Sequence, residues 1–375
     1  MVIFLISGQN LILTPQGMDE KKVRSRLGLS RIILPVAIGI AVVLWLMIKE
    51  IDATSLSVLR FTWSSVFWIW VAFLFVLSRT FFYVWRIRSL CDGEITWLAS
   101  LRIIILWEFT SAISPSTVGG TALAVVFLNK EGMSVGRSTS VVLLTSFLDE
   151  LYFVILFPLL LPFTGIKALF IGSSGQTGSL LLNNLTTIAL IGYLIILAWV
   201  VIVGYGLFIN PRSIRRLLIF IFGIPLLRRW KNAAEKAGND IVASSLELKL
   251  KPKSYWYEAV FTTFMSWTLR YLIVNAIILS FFEFREHLLL FTRQLVLWIM
   301  MIISPTPGGS GFAELILGNY ISDLLPAGHE SARSISLTMA VMWRAISYYP
   351  FLIAGAIVAP GWIERKFIPS IAKKK

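Results

Sequence analysis

The sequence has very little cysteine, histidine and charge, and each shortage excludes a class of protein. The single cysteine, Cys91, rules out an internal disulfide and argues against a thiolate metal site. The two histidines, His287 and His329, are too few for a histidine metal cluster. Only 14% of the 375 residues are charged, far fewer than a soluble chain of this length carries at its surface. We therefore predict no metal and no cofactor.

Long apolar stretches take the place of the missing charge. The chain is 57% hydrophobic and its mean hydropathy is +0.79. Runs such as 32–48 and 186–209 approach or exceed the roughly 20 residues that a helix needs to cross a bilayer. This pattern predicts an all-α polytopic integral membrane protein. We expect six full transmembrane helices, at 31–49, 63–85, 139–162, 184–209, 258–281 and 334–358.

The net charge of +14 comes from Lys and Arg clustered in connecting segments, as expected for the cytoplasmic side of a membrane protein. The sequence has no basic patch with interleaved aromatic residues on a soluble domain, so it gives no sign of a nucleic-acid partner. The pattern predicts a cytoplasmic N-terminal segment (1–30), a cytoplasmic basic loop (210–257) and a basic cytoplasmic tail (361–375). Two interpretations of residues 1–17 stay open: a stretch that resembles a leader, or a mis-assigned start of the sequence. We expect a multi-pass protein of the cytoplasmic (inner) membrane with both termini inside.

Two further hydrophobic regions, 97–129 and 288–325, are each split by a Pro-Gly phrase. If helical, each half is about 16–25 Å long, which is shorter than the ~30 Å hydrocarbon core. The charge pattern requires each region to return to the side from which it started. We therefore predict two helical hairpins that enter from opposite faces, and the sequence leaves open whether they are re-entrant or made of two short crossings.

The two phrases belong to an internal repeat. Arg79 precedes Arg102 by 23 positions, and Arg270 precedes Arg293 by the same interval. RIIILWEFTSAISPSTVGG, from Arg102, then matches RQLVLWIMMIISPTPGG, from Arg293. Within a single transmembrane domain (31–360), we expect repeat one at about 63–162 and repeat two at about 258–358, related by inversion. Inverted repeats with broken helices are typical of transporters, whose substrate site lies near the middle of the membrane.

Irregular backbone is stable in a membrane only where protein or water surrounds it, so the two broken hairpins should meet at the centre. Ionisable side chains within apolar spans usually face a cavity or a partner. These two rules give one set of candidate substrate-binding residues. They are Pro115, Gly119, Gly120, Pro305, Gly308, Gly309 and Gly311 at the bends, and Arg79, Arg102, Glu108, Asp149, Glu150, Arg270, Arg293, Glu314 and Arg344 among the ionisable side chains.

Structural explanations of the same residues stay open at this point. The Pro-Gly phrases could be kinks with small-residue packing, which is common in membrane helices. Arg79 and Arg102 could extend to the interface, and the other charges could form buried ion pairs.

The motifs resemble those of the lysylphosphatidylglycerol synthase transmembrane-region family, whose members have a flippase-like domain. SPTPGGSGFAE (304–314) and VMWRAISYYPFLIAG (341–355) carry the resemblance, and SPSTVGGTALAVVFLNKEG (114–132) fits more loosely. Many relatives have Asp-Arg where this chain has Asp149-Glu150, so no role of that arginine transfers. The sequence ends at Lys375, so we expect the chain to lack the soluble aminoacyl-transfer domain of the bifunctional relatives.

The resemblance implies the lipid-translocating half alone, which would move an anionic or aminoacylated phospholipid or a polyprenol-linked lipid through a polar cavity. Arg270, Arg293 and Arg344 would neutralise phosphate, and Glu108 and Glu314 would meet a cationic group or protons. The alternatives are a proton-coupled transporter of a small solute and a non-catalytic membrane partner of an envelope-lipid synthase. We expect no catalytic residues, membrane lipids as partners, and a separate envelope-lipid synthase or glycosyltransferase as a further candidate partner. The sequence does not indicate an oligomeric state.

Overall fold

A computed structural model describes residues 59–114, 118–170, 179–221, 223–224, 231–301, 306, 308–325 and 329–367. Within these ranges the chain forms helices joined by turns, with no strand. The predicted first span (31–49), the segment 1–30, Pro115, Pro305 and the end of the tail lie outside the described residues.

The first predicted repeat is a long helix, a broken hairpin and a second long helix. Polar side chains at the helix starts supply acceptors for free backbone amides, as when Thr62 accepts from Ser65 N and Ser134 accepts from Arg137 N. Gly132 follows the hairpin with φ +114°, a conformation suited to glycine. The helices are α1 (Trp63–Leu90), α2 (Trp97–Ile113), α3 (Val118–Lys130) and α4 (Val135–Thr164).

The segment between the repeats is also mostly helical. Its basic part, 210–257, contains two complete helices within the connection between the repeats. The Arg215 guanidinium and the Glu235 carboxylate pair at 2.9 Å and join those two helices. The elements are α5 (Ile166–Phe170), α6 (Ser179–Gly204), a π-helical turn (Tyr205–Ile209), α7 (Pro211–Ile221) and α8 (Lys231–Lys249).

The second repeat has the same order of elements, with its last helix divided. The predicted span 334–358 falls on two helices, because the helix is interrupted at Tyr348, just before Pro350. A proline lacks an amide hydrogen and disfavours helical backbone in the residue before it. The helices are α9 (Lys253–Leu279), α10 (His287–Met301), α11 (Phe312–Ser322), α12 (His329–Ser347) and α13 (Tyr349–Phe367).

Five helical stretches of the described residues are long and apolar enough to cross a membrane. They correspond to five of the six spans predicted from the sequence, and the sixth, 31–49, lies outside the described residues. The prediction of an all-α polytopic membrane protein is confirmed. The five stretches are Trp63–Leu90, Val135–Thr164, Thr187–Ile209, Lys253–Leu279 and Ala332–Lys366.

Corresponding helices of the two repeats pack together. The most extensive helix contact within the described residues joins α1 and α9, which are the first helices of the two units. The outward face of α1 exposes large apolar side chains, among them Trp63, Phe67 and Trp70, as expected for a surface in contact with lipid. The opposite face of α1 carries buried Arg79, Tyr83 and Arg86. The polar groups of the two units therefore face the interior.

Candidate functional site

The two Pro-Gly bends meet, as the repeat requires. The amide of Gly308 donates to the carbonyl oxygen of Ser114 at 3.2 Å. The Tyr348 hydroxyl donates to the carbonyl oxygen of Ala112 at 3.0 Å. Both acceptors lie at the end of α2, where the helix leaves carbonyl groups without partners of its own. Groups of one repeat therefore satisfy the broken helix of the other.

Glycine is required at this contact for two separate reasons. Gly308 has φ +56°, and a Cβ there would lie 2.8 Å from the carbonyl oxygen of Ala112. In the first hairpin, a Cβ on Gly120 would lie 2.8 Å from the backbone nitrogen of Ser111, so α3 could not approach α2 as closely. Both phrases allow backbone to pack directly against backbone.

Arg344 holds the second bend in place. Its Nη2 donates to the carbonyl oxygens of Gly308 (3.0 Å) and Gly309 (3.3 Å). Its Nε lies 3.0 Å from Oε1 of Glu314, and the Glu314 side chain is only 1% exposed. Glu314 Oε2 also accepts from the amide of Gly311 at 2.8 Å, which caps the start of α11. The charges of Arg344 and Glu314 thus organise the bend.

A cavity of about 250 Å³ lies beside the bends. Side chains from both repeats line it, and tryptophans are prominent among them: Trp107, Trp199, Trp267, Trp298 and Trp343. Of the candidate residues, seven line the cavity: Glu108, Asp149, Glu150, Arg270, Gly308, Gly309 and Arg344. The cavity therefore combines charged groups of both signs with large aromatic surfaces.

Glu108 is shared between the two corresponding arginines of the repeat. Arg79, buried on α1, forms an ion pair with Glu108 Oε1. Arg270, on α9, lies 3.8 Å from the same oxygen and is 26% exposed. The Arg270 guanidinium lies over the rings of Trp267 (5.1 Å) and Trp298 (5.6 Å). Arg79 already neutralises Glu108, so Arg270 presents a cationic group to the cavity.

Asp149 is fully engaged by neighbouring side chains. Arg86 donates to both of its carboxylate oxygens, at 2.5 and 3.3 Å, and Trp267 Nε1 donates to Oδ1 at 2.6 Å. Arg86 in turn donates to the hydroxyl of Thr263 at 3.1 Å. This network joins α1, α4 and α9 at the wall of the cavity.

The carboxylate of the next residue, Glu150, is not held by an arginine as Asp149 is. Its Oε2 is buried and has no hydrogen-bond partner among the described residues. No Lys or Arg of the described residues pairs with it within 4.0 Å. Successive residues of a helix point in different directions, which explains why one carboxylate of the adjacent pair is bound and the other is not.

Several other candidates lie outside the cavity lining. Arg293 is 1% exposed and pairs with Asp323 at 2.6 Å, while donating to the carbonyl oxygens of Ala168 and Tyr320. It joins the middle of α10 to the end of α11 and to α5, which is a structural role. Arg102 is partly buried on α2. Gly119 and Gly120 lie in α3, and Gly311 precedes α11.

The sequence analysis missed Arg86 because the predicted span ended at residue 85, whereas α1 continues to Leu90. A signal was available, since Arg79, Tyr83 and Arg86 follow the i, i+4, i+7 spacing of one helix face. It also missed Tyr271, a buried cavity-lining residue whose hydroxyl has no hydrogen-bond partner among the described residues.

Comparison with known proteins gives a consistent assignment. Residues 32–355 match the family described as the lysylphosphatidylglycerol synthase TM region. A UPF0104 membrane protein of Archaeoglobus fulgidus is 26% identical over 333 residues, covering 82% of this chain and 92% of that protein. No solved structure matches. With most of its length matched, and with spans and broken hairpins in the predicted places, the chain is a multi-pass membrane protein that belongs to the lysylphosphatidylglycerol synthase transmembrane-region family.

Proposed function

We propose that the protein is a lipid transporter of the flippase type, without a catalytic reaction of its own. An anionic or aminoacylated phospholipid, or a polyprenol-linked lipid, would place its headgroup in the central cavity while its acyl chains stay in the bilayer. In this proposal the termini and the basic segment 210–257 face the cytoplasm. A separate envelope-lipid synthase or glycosyltransferase would supply the substrate.

The observation that carries this proposal is the environment of Arg270. Its guanidinium is accessible from the cavity and lies against two tryptophan rings, and its acidic partner among the described residues is a carboxylate that Arg79 already neutralises. A charged side chain within a membrane is costly, so it is retained where it serves a binding or transport role. A planar guanidinium is well suited to binding two oxygens of a phosphate.

The remaining lining suits an amphiphile. Tryptophan and tyrosine present an apolar ring together with a polar hydrogen, which allows them to contact both a headgroup and the start of an acyl chain. The site also lies where the two broken hairpins meet, which is the place where transporters built from inverted repeats bind their substrates.

Purified protein in liposomes with fluorescent phosphatidylglycerol tests the proposal, with movement between leaflets followed by chemical quenching of the outer leaflet. We expect protein-dependent movement, and a reduction of about 10–100-fold for Arg270→Gln, the loss expected when a charged hydrogen bond is removed. Arg285→Gln is the matched control, because Arg285 is exposed in the turn between α9 and α10 and does not line the cavity.

The alternatives give different results in the same liposomes. Absence of movement for phosphatidylglycerol, an aminoacylated phospholipid and a polyprenyl phosphate would overturn the lipid proposal. Uptake of a small solute driven by a proton gradient, without lipid movement, would favour the secondary transporter. Function only in the presence of a synthase would favour the non-catalytic membrane partner.

A further inference from the structure

We propose that Glu150 is a proton-binding site that couples lipid movement to the proton gradient across the membrane. This inference rests on the proposed transport function and adds an energy source to it. It starts from the charges around the cavity. Three acidic side chains have basic partners, in the pairs Arg79–Glu108, Arg86–Asp149 and Arg344–Glu314. Glu150 is the carboxylate at the cavity that the described residues leave without a cation.

The position of Oε2 indicates that the Glu150 side chain binds a proton and not a larger cation. Glu150 Oε2 is enclosed by the protein and makes no hydrogen bond of ordinary geometry among the described residues, and the nearby donor, the indole N–H of Trp298, is neutral and supplies no counter-charge. An ammonium group or a metal ion in the cavity could approach the carboxylate only at its other oxygen, Oε1, whereas a proton bound to the enclosed Oε2 needs no further space. Burial of a carboxylate without a counter-charge is unfavourable, and a bound proton removes the charge.

The surroundings strengthen this assignment. Asp149, the neighbouring residue, is held by Arg86 and Trp267, which donate to it. Both terminal nitrogens of Arg86 are engaged by Asp149, so Arg86 is not available as a counter-charge for Glu150. The other charged and titratable groups that line the same cavity are Tyr83 and Arg86 (α1), Glu108 (α2), Arg270 and Tyr271 (α9), Arg344 (α12) and Tyr348, which lies between α12 and α13. Each of these arginines has an acidic partner other than Glu150: Arg86 and Arg344 hold Asp149 and Glu314, and Arg270 lies beside Glu108.

A buried acid at the wall of the cavity can exchange its proton only when water or a headgroup reaches it. Glu150 would take a proton from water on one side of the membrane, hold it while the cavity is closed, and release it to water on the other side. The proton would move with or against the headgroup, and no other reactant is needed. Tyr271, whose buried hydroxyl has no partner among the described residues, lies in the same cavity and is available to donate to the ionised carboxylate.

Two measurements on the purified full-length protein test this proposal. In liposomes with fluorescent phosphatidylglycerol, an imposed pH difference of about two units should accelerate lipid movement several-fold in one direction. Glu150→Gln, which has the shape of the protonated acid, should keep downhill movement and lose the response to the gradient. Glu150→Asp should keep part of the response. Glu283→Gln, in the exposed turn between α9 and α10, should behave like the parent protein.

The second measurement does not depend on transport. Short-chain phosphatidylglycerol is added to the protein in weakly buffered detergent, and a pH-sensitive dye reports protons released or taken up. We expect an exchange of up to about one proton per protein for the parent and none for Glu150→Gln.

The outcomes separate the two proposals. If the rate of lipid movement does not change with the gradient, and lipid binding causes no proton exchange, the proposed proton site is wrong and the transport proposal still stands. A Glu150→Gln variant that keeps the gradient response but changes the preference between amine-bearing and amine-free headgroups would also overturn it. Absence of lipid movement in the parent at every gradient would remove the proposed function, and the coupling proposal with it.

Discussion

At the scale of single residues, Arg86 and Asp149 show why charge is stable inside this membrane protein. Arg86 is 2% exposed and binds both oxygens of Asp149, while Thr263 and Trp267 satisfy further polar atoms of the pair. Each charge compensates the cost of burying the other. Removal of one partner alone leaves a buried charge, which is far more damaging than removal of the pair.

We expect Asp149→Asn and Arg86→Gln each to lower the free energy of unfolding by about 3–5 kcal/mol. The double variant should lose less than the sum of the two, by about 0.5–3 kcal/mol. Reversible unfolding in detergent micelles measures these differences, and Glu283→Gln serves as a surface control that should change stability by less than about 0.5 kcal/mol. Additive losses would show that the two side chains do not stabilise each other.

At the scale of elements, the two broken hairpins depend on each other. The carbonyl groups at the end of α2 accept from Gly308 and Tyr348 of the other repeat. The second bend relies on Arg344, which donates to two of its carbonyl oxygens. Irregular backbone at membrane depth is thus satisfied by protein groups, as the absence of water in the hydrocarbon region requires.

A pair of glycine substitutions tests the contact between the bends. Gly308 (φ +56°) and Gly165 (φ +73°) both adopt left-handed backbone, but nothing lies within 4 Å of a Cβ at Gly165. Alanine at either position carries backbone strain, which costs about 1–3 kcal/mol for a residue held in a sparsely populated backbone region. Gly308→Ala should cost more, because its methyl group would lie against the Ala112 carbonyl, and it should also slow lipid movement. Equal unfolding temperatures for the two variants would contradict a tight contact.

At the scale of the whole molecule, the proposed orientation follows from the distribution of Lys and Arg. Native Cys91 is fully buried, and burial raises the pKa of its thiol to about 12, so about one thiol in ten thousand is ionised at pH 8. Cys91 should therefore stay unlabelled in the folded protein, and introduced cysteines can be read without replacing it.

We expect an impermeant maleimide to label Glu283→Cys in intact cells and to label Leu250→Cys only after the membrane is opened. Both positions are exposed, and the proposed orientation places them on opposite sides. Labelling is measured by a mass shift of the protein. The reverse pattern would invert the proposed orientation, and labelling of both in intact cells would contradict the assignment of α9 as a single crossing.

The spans and the meeting of the bends were predictable because they depend on hydropathy and on the repeat, which the sequence shows directly. The partners of the charges were not. Arg293 is bound by Asp323, some 30 residues further along, whereas Arg79 and Arg270, which occupy corresponding positions of the repeat, meet the same Glu108. Pairing over such separations depends on how the hairpin folds back. Arg86 was missed because hydropathy defines the end of a helix poorly.

The hydrogen bonds between the bends have a consequence for mutational studies. Because Gly308 and Tyr348 of the second repeat donate to carbonyl groups of the first, the two repeats cannot separate at the bends without depriving those carbonyl groups of their donors. Second-site suppressors of a defect in the phrase around Ser114 should therefore be found around Gly308 and Tyr348, more than 190 positions away in the chain.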